Sequence, residues 1–186
     1  MRTVVCIASG PSLTREDCVL VRESGLFTIV VNNSWQMAPW ANVLYAGDRQ
    51  WWSQYGAQAK SVMRECWTAS HDSAERFGIN RFEAKDWENS GYQAIELAIL
   101  KFNASKVVLL GYDMQHTGGA RHWHSDHPEQ MGNADDVEDW PDRFVDLRDK
   151  VADVEFVNCT RETALTCFKR ESLKSVLEND RCKQGN

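Results

Sequence analysis

An apolar helix followed by a buried strand is the feature that most constrains how this chain can fold. Apolar side chains between residues 95 and 102 recur at i, i+3, i+4 and i+7, which predicts an α-helix with Asn89 or Ser90 as its N-cap. Residues 106–110 form an apolar run without polar alternation, which is typical of a strand covered on both faces. The pattern therefore predicts a three-layer α/β domain with a mostly parallel sheet.

The same unit predicts where a ligand would bind. In an open α/β sheet, ligands collect beyond the carboxyl ends of the strands, and a helix N-terminus offers unpaired N–H groups to an anion such as phosphate. Ser90 and Gly91 lie at the predicted helix start, and Asp113 follows the predicted strand. We expect these three residues to share one binding site.

The amino-terminal residues repeat this arrangement. Residues 4–8 are predicted to form a first strand, and Ser9-Gly10-Pro11-Ser12 a tight loop before a helix that begins near Arg15. The loop contains neither the G-x-G-x-x-G pattern of dinucleotide-binding domains nor the G-K-[ST] pattern of a P-loop. Taken alone, it fits a binding loop and an ordinary helix-capping turn equally well.

Four short motifs occur in an order that resembles a known family. They are Ala8-Ser9-Gly10-Pro11-Ser12-Leu13, Val30-Val31-Asn32-Asn33, Leu44-Tyr45-Ala46-Gly47-Asp48, and Asn89-Ser90-Gly91 with Leu110-Gly111-Tyr112-Asp113. Together they resemble the bacterial sialyltransferases of the Campylobacter type and the related 6-hydroxymethylpterin pyrophosphokinase-like proteins, over roughly residues 3–114. Ser9 stands where the family has an asparagine, and Ala8 where it has a glycine.

The resemblance implies a Rossmann-like, nucleotide-dependent transferase, in the first place a glycosyltransferase with a nucleotide-sugar donor. It implies that Asp113 orients this donor. Similar short proteins occur in tailed bacteriophages and prophages, which implies a cytoplasmic location, in the host cytoplasm if a phage encodes the protein. The residues that would hold the nucleotide are Ser9, Gly10, Ser12, Asn32, Asp48, Ser90 and Gly91.

A cluster of histidines follows Asp113. Four of the five histidines lie between positions 116 and 127, in a stretch that is expected to lie over the same edge of the sheet. Three interpretations are open: a metal site, a general base, or a solvated loop.

The metal hypothesis depends on the pattern His122-x-His124-x-Asp126-His127, which resembles a zinc-binding motif of the metallo-β-lactamases. That fold supplies further histidines downstream, and this chain has none after His127. A single divalent ion, with Asp113, Asp126 or His116 completing the site, is the remaining form of this hypothesis. It would suit a metal-dependent hydrolase.

The base hypothesis depends on the transferase chemistry. Moving a sugar to an acceptor hydroxyl needs a group that takes the hydroxyl proton, and histidine titrates near neutral pH. The sialyltransferase-like family has a histidine after its glycine–aspartate strand end. The resemblance therefore implies that His124 or His127 is the general base.

Two further functions stay open. A pyrophosphokinase-like phosphotransferase would need Mg²⁺ held by carboxylates such as Asp48 and Asp113. A non-catalytic nucleotide-binding protein would need only the strand-end residues.

The composition fits one domain, predicted over residues 1–177 with a frayed tail over 178–186. The net charge of −6 argues against general nucleic-acid binding, and no run approaches the ~18 apolar residues of a membrane span. We therefore expect a small-molecule or glycan substrate. The six cysteines are expected to be reduced and mostly buried, and the eight tryptophans to serve core packing or contacts in a homo-oligomer, with ring stacking on a ligand as the alternative.

The carboxyl-terminal part predicts one more helix and strand. Residues 135–151 carry an amphipathic helix pattern in which Pro141 marks the first turn, and residues 155–159 an apolar strand. Asn158 and Thr160 follow as turn and cap residues in the favoured interpretation, and line the binding edge in the alternative one.

Overall fold

The computed structural model shows one eight-stranded sheet in which every neighbouring pair is parallel. It describes residues 2–84, 88–128, 131 and 137–184, without the side chains of residues 181–184. The strands are β1 (Thr3–Ile7), β2 (Phe27–Val31), β3 (Val43–Tyr45), β4 (Cys66–Thr68), β5 (Asn80–Arg81), β6 (Lys106–Leu110), β7 (Glu155–Asn158) and β8 (Lys169–Arg170). The helices are α1 (Arg15–Ser24), α2 (Arg49–Val62), α3 (His71–Phe77), α4 (Ser90–Leu100), α5 (Trp140–Lys150) and α6 (Leu173–Gln184).

The strand order places a switch point in the middle of the sheet. The order is β5-β4-β3-β2-β1-β6-β7-β8, so the chain builds outward from β1 to β5 and then returns to place β6 on the other side of β1. The carboxyl ends of β1 and β6 therefore lead into connections that run in opposite directions. Such a point opens a crevice in which ligands of α/β proteins bind.

Two apolar clusters cover the two faces of the sheet and give the predicted three layers. Alternate residues of β1 belong to different clusters. Val5 and Ile7 pack in the layer that holds α1, α2 and α6. Val4 and Cys6 pack in the layer that holds α4 and α5. Because both faces of the central strands are buried, these strands carry apolar runs instead of an alternating pattern.

Side-chain caps fix the helix starts that the sequence predicts. Asn89 caps α4, since its Oδ1 accepts a hydrogen bond from the N–H of Tyr92 at 2.9 Å. Thr14 caps α1, which begins at Arg15 as predicted. Pro141 lies in the first turn of α5, which confirms its assignment, whereas residues 135 and 136 of the predicted helix lie outside the described residues.

Most of the described tryptophans and cysteines are packing residues. Trp35, Trp51 and Trp52 are buried. The described cysteines are free thiols, and Cys167 is the half-buried one among them. No helix within the described ranges has the length and apolar character that crossing a membrane requires.

The last helix, α6, ends at Gln184. It therefore extends past residue 177, where the sequence predicts a frayed tail to begin. Its residue Asp180 is buried, and its Oδ1 lies 2.9 Å from Nζ of Lys106 at the start of β6. This ion pair fixes α6 to the central part of the sheet.

We predict that removing one partner of this pair destabilises the protein more than removing both. Lys106→Met leaves the Asp180 carboxylate buried without its counter-ion and should lower the free energy of unfolding by about 3–5 kcal/mol. The double variant Lys106→Met/Asp180→Leu should lose much less, because no charge then remains in the interior. Urea unfolding measures both.

The exposed pair between Arg49 and Asp72 supplies the control. Arg49→Met should change the free energy of unfolding by less than about 1 kcal/mol, since solvent screens such a pair. A double variant as unstable as Lys106→Met would contradict the role of the buried pair.

Candidate functional site

A cleft opens at the carboxyl edge of the sheet, at the switch point between β1 and β6. It is lined by the loop after β1 (residues 8–11), the end of β2 (31 and 32), the start of α4 (89–91) and the segment after β6. Arg121 and His122 reach it from the histidine-rich stretch, and Val137 and Trp140 from the start of α5. The space within it is about 550 Å³, part of which is open to solvent.

The start of α4 presents backbone donors to this cleft. Ser90 and Gly91 are the first two residues of the helix, so their N–H groups have no acceptor within it. The Ser90 Oγ accepts a hydrogen bond from the N–H of Gly47 at 3.1 Å, and the Tyr112 hydroxyl donates to the carbonyl of Gly91 at 3.0 Å. These bonds hold the helix start in place, with its partial positive charge at the cleft.

Two asparagines bring unused amide atoms to the cleft. The Asn89 Oδ1 is occupied as the helix cap, and its Nδ2 is buried without a hydrogen-bond partner among the described residues. The Asn32 Oδ1 is also buried and unpartnered there, and the backbone of Asn32 has a φ of 48°. An unsatisfied buried polar group costs about 1–3 kcal/mol. One unused donor and one unused acceptor therefore favour a polar ligand in this cleft.

Hydrogen bonds to Asp113 organise the loop after β1. The carboxylate of Asp113 accepts hydrogen bonds from the N–H of Ser12 at 2.9 Å, from the Ser12 hydroxyl at 2.9 Å and from the Thr117 hydroxyl at 3.0 Å. Burial raises the pKa of Asp113 despite these bonds. Asp113 and Ser12 thus hold the loop, and their direct contact with a donor stays a prediction.

Gly10 permits this close approach. Its N–H donates to the carbonyl of Gly111 at 2.8 Å. A Cβ at position 10 would lie 2.1 Å from the Asp113 Oδ1 and 2.4 Å from the Gly111 carbonyl oxygen. A glycine is therefore required here, because any side chain at position 10 would collide with Asp113 and Gly111.

The structure brings most of the predicted nucleotide-binding residues together. The predicted residues that line the cleft are Ser9, Gly10, Asn32, Ser90 and Gly91. Ser12 and Asp48 do not line it. Asp48 occupies the N-cap position of α2 and is exposed, so the cleft does not unite Asp48 and Asp113 as a carboxylate pair for Mg²⁺.

The histidine-rich stretch folds back onto the first loop. It begins with a tight turn at Gly118 and Gly119, which have φ values of 59° and 79°. The N–H of Trp123 then donates to the carbonyl of Ser9 at 3.2 Å. This bond fixes the stretch beside the cleft, and His122 is the histidine that lines it.

Three imidazole rings pack against one another here. The rings of His122 and His124 are stacked, with centroids 4.8 Å apart and an interplanar angle of 6°. The His127 ring lies 5.3 Å from that of His122 and 5.0 Å from that of His124. Because the His124 Nδ1 lies 2.7 Å from the Ser125 carbonyl, Nδ1 carries the proton in the neutral ring. The Nε2 atoms of His122 and His124 are buried and lack a partner within the described ranges.

This packing does not resemble a metal-ligand set. A metal ion lies in the plane of each imidazole that binds it, and two parallel stacked rings direct their lone pairs into separate planes. No group of three His, Cys, Asp or Glu side chains in the described part of the chain is arranged to hold an ion. Asp126 is exposed and lies 3.8 Å from the Arg121 guanidinium. Metal ligation by His122, His124, Asp126 and His127 stays an untested prediction.

Burial keeps the histidines neutral at neutral pH. Burial, with the neighbouring imidazoles of His124 and His127, lowers the pKa of His122 to about 4. Burial and His124 lower the pKa of His127 to about 4. Burial also lowers the pKa of His124, against an opposing hydrogen bond to Ser125. His122 is therefore unprotonated at neutral pH, and its lowered pKa makes it a weaker base than an exposed imidazole.

Arg121 and Trp140 line the cleft without a sequence motif that marks them as binding residues. Asn89 belongs to the Asn89-Ser90-Gly91 motif, where its predicted role is that of a helix cap. His122 belongs to the histidine motif, where its predicted role is that of a metal ligand. A cap that precedes a glycine at a strand-edge helix is the one local pattern that could have identified Asn89.

Comparison of the chain with protein-family models, with curated proteins and with solved structures finds no match. The sialyltransferase-like resemblance therefore depends on the four sequence motifs alone.

We predict that acid destabilises the fold through the histidine cluster. His122 and His127 have a pKa of about 4 in the folded protein, below the ordinary value of 6.5. Between pH 6.5 and pH 4 the unfolded chain therefore binds more protons than the folded one, so the free energy of unfolding should fall as the pH is lowered through this window. Urea unfolding at several pH values measures this slope.

Carboxylates titrate in the same window, so the test compares the slope of a variant with that of the parent protein. His122→Gln should flatten the slope, because it removes a group whose pKa is lowered in the folded protein. An unchanged slope in His122→Gln would contradict the lowered pKa of His122.

Proposed function

We propose that this protein is a nucleotide-dependent transferase, and specifically a glycosyltransferase that uses a nucleotide-sugar donor. One observation supports this proposal above the others. A helix N-terminus, two unpartnered amide atoms, an arginine and a neutral histidine converge on one cleft at the switch point of the sheet. Each of these groups matches a part of such a donor or of its reaction.

The anionic part of the donor suits the start of α4. The N–H groups of Ser90 and Gly91 would donate to a phosphate oxygen, and the Arg121 guanidinium would add a charged donor. The Asn89 Nδ2 and the Asn32 Oδ1 would pair with polar atoms of the base or ribose. The half-buried ring of Trp140 offers an apolar surface for the base.

The chemistry suits His122. A ring nitrogen of His122 would accept the proton of an acceptor hydroxyl on a small molecule or glycan, while the hydroxyl oxygen forms a bond to the anomeric carbon. The bond from that carbon to the phosphate oxygen breaks, and the nucleotide leaves with the electron pair. Arg121 and the start of α4 would stabilise the charge of the leaving phosphate. His124 and His127 contact His122 but do not line the cleft.

Donor binding predicts a specific loss at Asn32. Asn32→Gly keeps a residue that tolerates the positive φ and removes the amide. Because a donor atom would then lose its partner, affinity for a cytidine or uridine nucleotide sugar should fall by about 1–3 kcal/mol in titration calorimetry. A thermal-shift screen of nucleotides and nucleotide sugars, with and without Mg²⁺, Mn²⁺ and Zn²⁺, first selects the ligand.

Asn103→Gly is the matched control, because Asn103 is exposed and has a φ of 52°. Its donor affinity should equal that of the parent protein. Equal affinity in Asn32→Gly would make Asn32 a purely structural residue. A nucleoside triphosphate that binds only with Mg²⁺ would instead favour the phosphotransferase, and stabilisation by zinc alone the hydrolase.

The base assignment predicts a selective loss of turnover. His122→Gln should lower the rate of nucleotide release from the donor by ~10²–10⁴-fold and leave donor affinity nearly intact, because the imidazole acts on the acceptor proton. His71→Gln should retain the full rate. A selective loss in His124→Gln or His127→Gln instead would assign the base to that histidine. Donor binding without release in the parent protein would favour a non-catalytic nucleotide-binding protein.

A further inference from the structure

Tyr55 on α2 contacts the histidine cluster from outside the cleft. Its hydroxyl lies 3.2 Å from the Nδ1 of His127, and the two rings lie 5.7 Å apart. Tyr55 does not line the cleft and carries none of the sequence motifs. Among the described residues, its contact with the histidine cluster is the one with His127.

Packing against a neighbouring residue of α2 positions the Tyr55 ring. The Tyr55 ring packs against Trp51 at a centroid distance of 5.6 Å, and Trp51 is buried. The Nε1–H of Trp51 donates to the Oδ1 of Asn33 at 2.7 Å, in the turn after β2. The Tyr55 ring is thus positioned in part by the packed layer beneath it.

His127 links Tyr55 to the histidine that lines the cleft. Its side chain is nearly buried, with a residue exposure of 9%, and its ring contacts the rings of both His122 and His124. His122 lines the cleft and is stacked on His124. A rotation of the His127 ring would therefore change the surroundings of both rings.

Packing alone does not choose between the two orientations of an imidazole. A flip of the ring by 180° exchanges nitrogen and carbon positions and leaves its shape almost unchanged. A hydrogen bond to one nitrogen distinguishes the two orientations, and a hydroxyl can make it to either tautomer because it donates as well as accepts. Partners of this kind orient functional histidines in proteins.

We infer that Tyr55 is a positioning residue that fixes the orientation of the His127 ring and, through it, the ring of His122. The effect on turnover depends on the proposed function. The effect on the imidazole rings does not, because it concerns the free protein. The two parts can therefore be tested separately.

The first test is nitrogen NMR of the histidine rings at neutral pH. Two-bond ¹H–¹⁵N correlation spectra report which ring nitrogen carries the proton, and His→Gln variants assign the signals. Tyr55→Phe, which removes only the hydroxyl, should shift the ring nitrogen signals of both His127 and His122. Backbone amide spectra check that the variant is folded.

Tyr45→Phe is the matched control. The Tyr45 hydroxyl donates to the Oε1 of Gln93 at 2.9 Å and contacts no histidine, so its loss should leave all ring signals in place. Ring signals of His122 that stay unchanged in Tyr55→Phe would overturn the inference, whether or not those of His127 move.

The second test is kinetic. In Tyr55→Phe, kcat for nucleotide release should fall by about 10-fold with KM for the donor unchanged, because a misplaced base slows the chemical step and leaves donor binding intact. A rise in KM with kcat unchanged would overturn the positioning role. Absence of donor binding in the parent protein would reject the proposed function and leave the NMR result to decide the inference.

Discussion

The hydrogen bonds between the Asp113 carboxylate and Ser12 are the contact on which the candidate site depends. They join the loop after β1 to the segment after β6. The strand order of the sheet reverses between these two strands. Thr117 donates to the same carboxylate, so the start of the histidine-rich stretch is attached to it too. The cleft is the space that remains beside this junction. A buried carboxylate is costly without partners, and here three donors reduce that cost.

Much of the fold follows from local sequence patterns. The apolar runs at residues 4–8 and 106–110 predict central strands of a parallel sheet, and Asn89 and Pro141 mark the starts of helices. These features depend on neighbours within one or two helical turns, which explains why the sequence reveals them. The extension of α6 beyond residue 177 depends instead on the pairing of Asp180 with Lys106, which is distant in the sequence.

The details of the site depend on contacts between distant segments. The polar residues of the first loop suggest ligand binding, but Ser12 uses both its N–H and its hydroxyl on Asp113, 101 residues away. The family resemblance implies His124 or His127 as the base, whereas His122 lines the cleft. Its position is set by the bond from Trp123 to Ser9 and by the packing of His127 against Tyr55. No local periodicity encodes either contact.

The most direct test of the proposed site is a map of backbone amide chemical shifts on titration with a cytidine or uridine nucleotide sugar. A phosphate held at the start of α4 should move the amide signals of Ser90 and Gly91 most, together with those of Asn32 and His122 around the cleft. The signal of Asn103, which is exposed in the turn after α4, should stay in place. Saturation that shifts amides elsewhere, or no shift at millimolar nucleotide sugar, would contradict a donor site at the switch point.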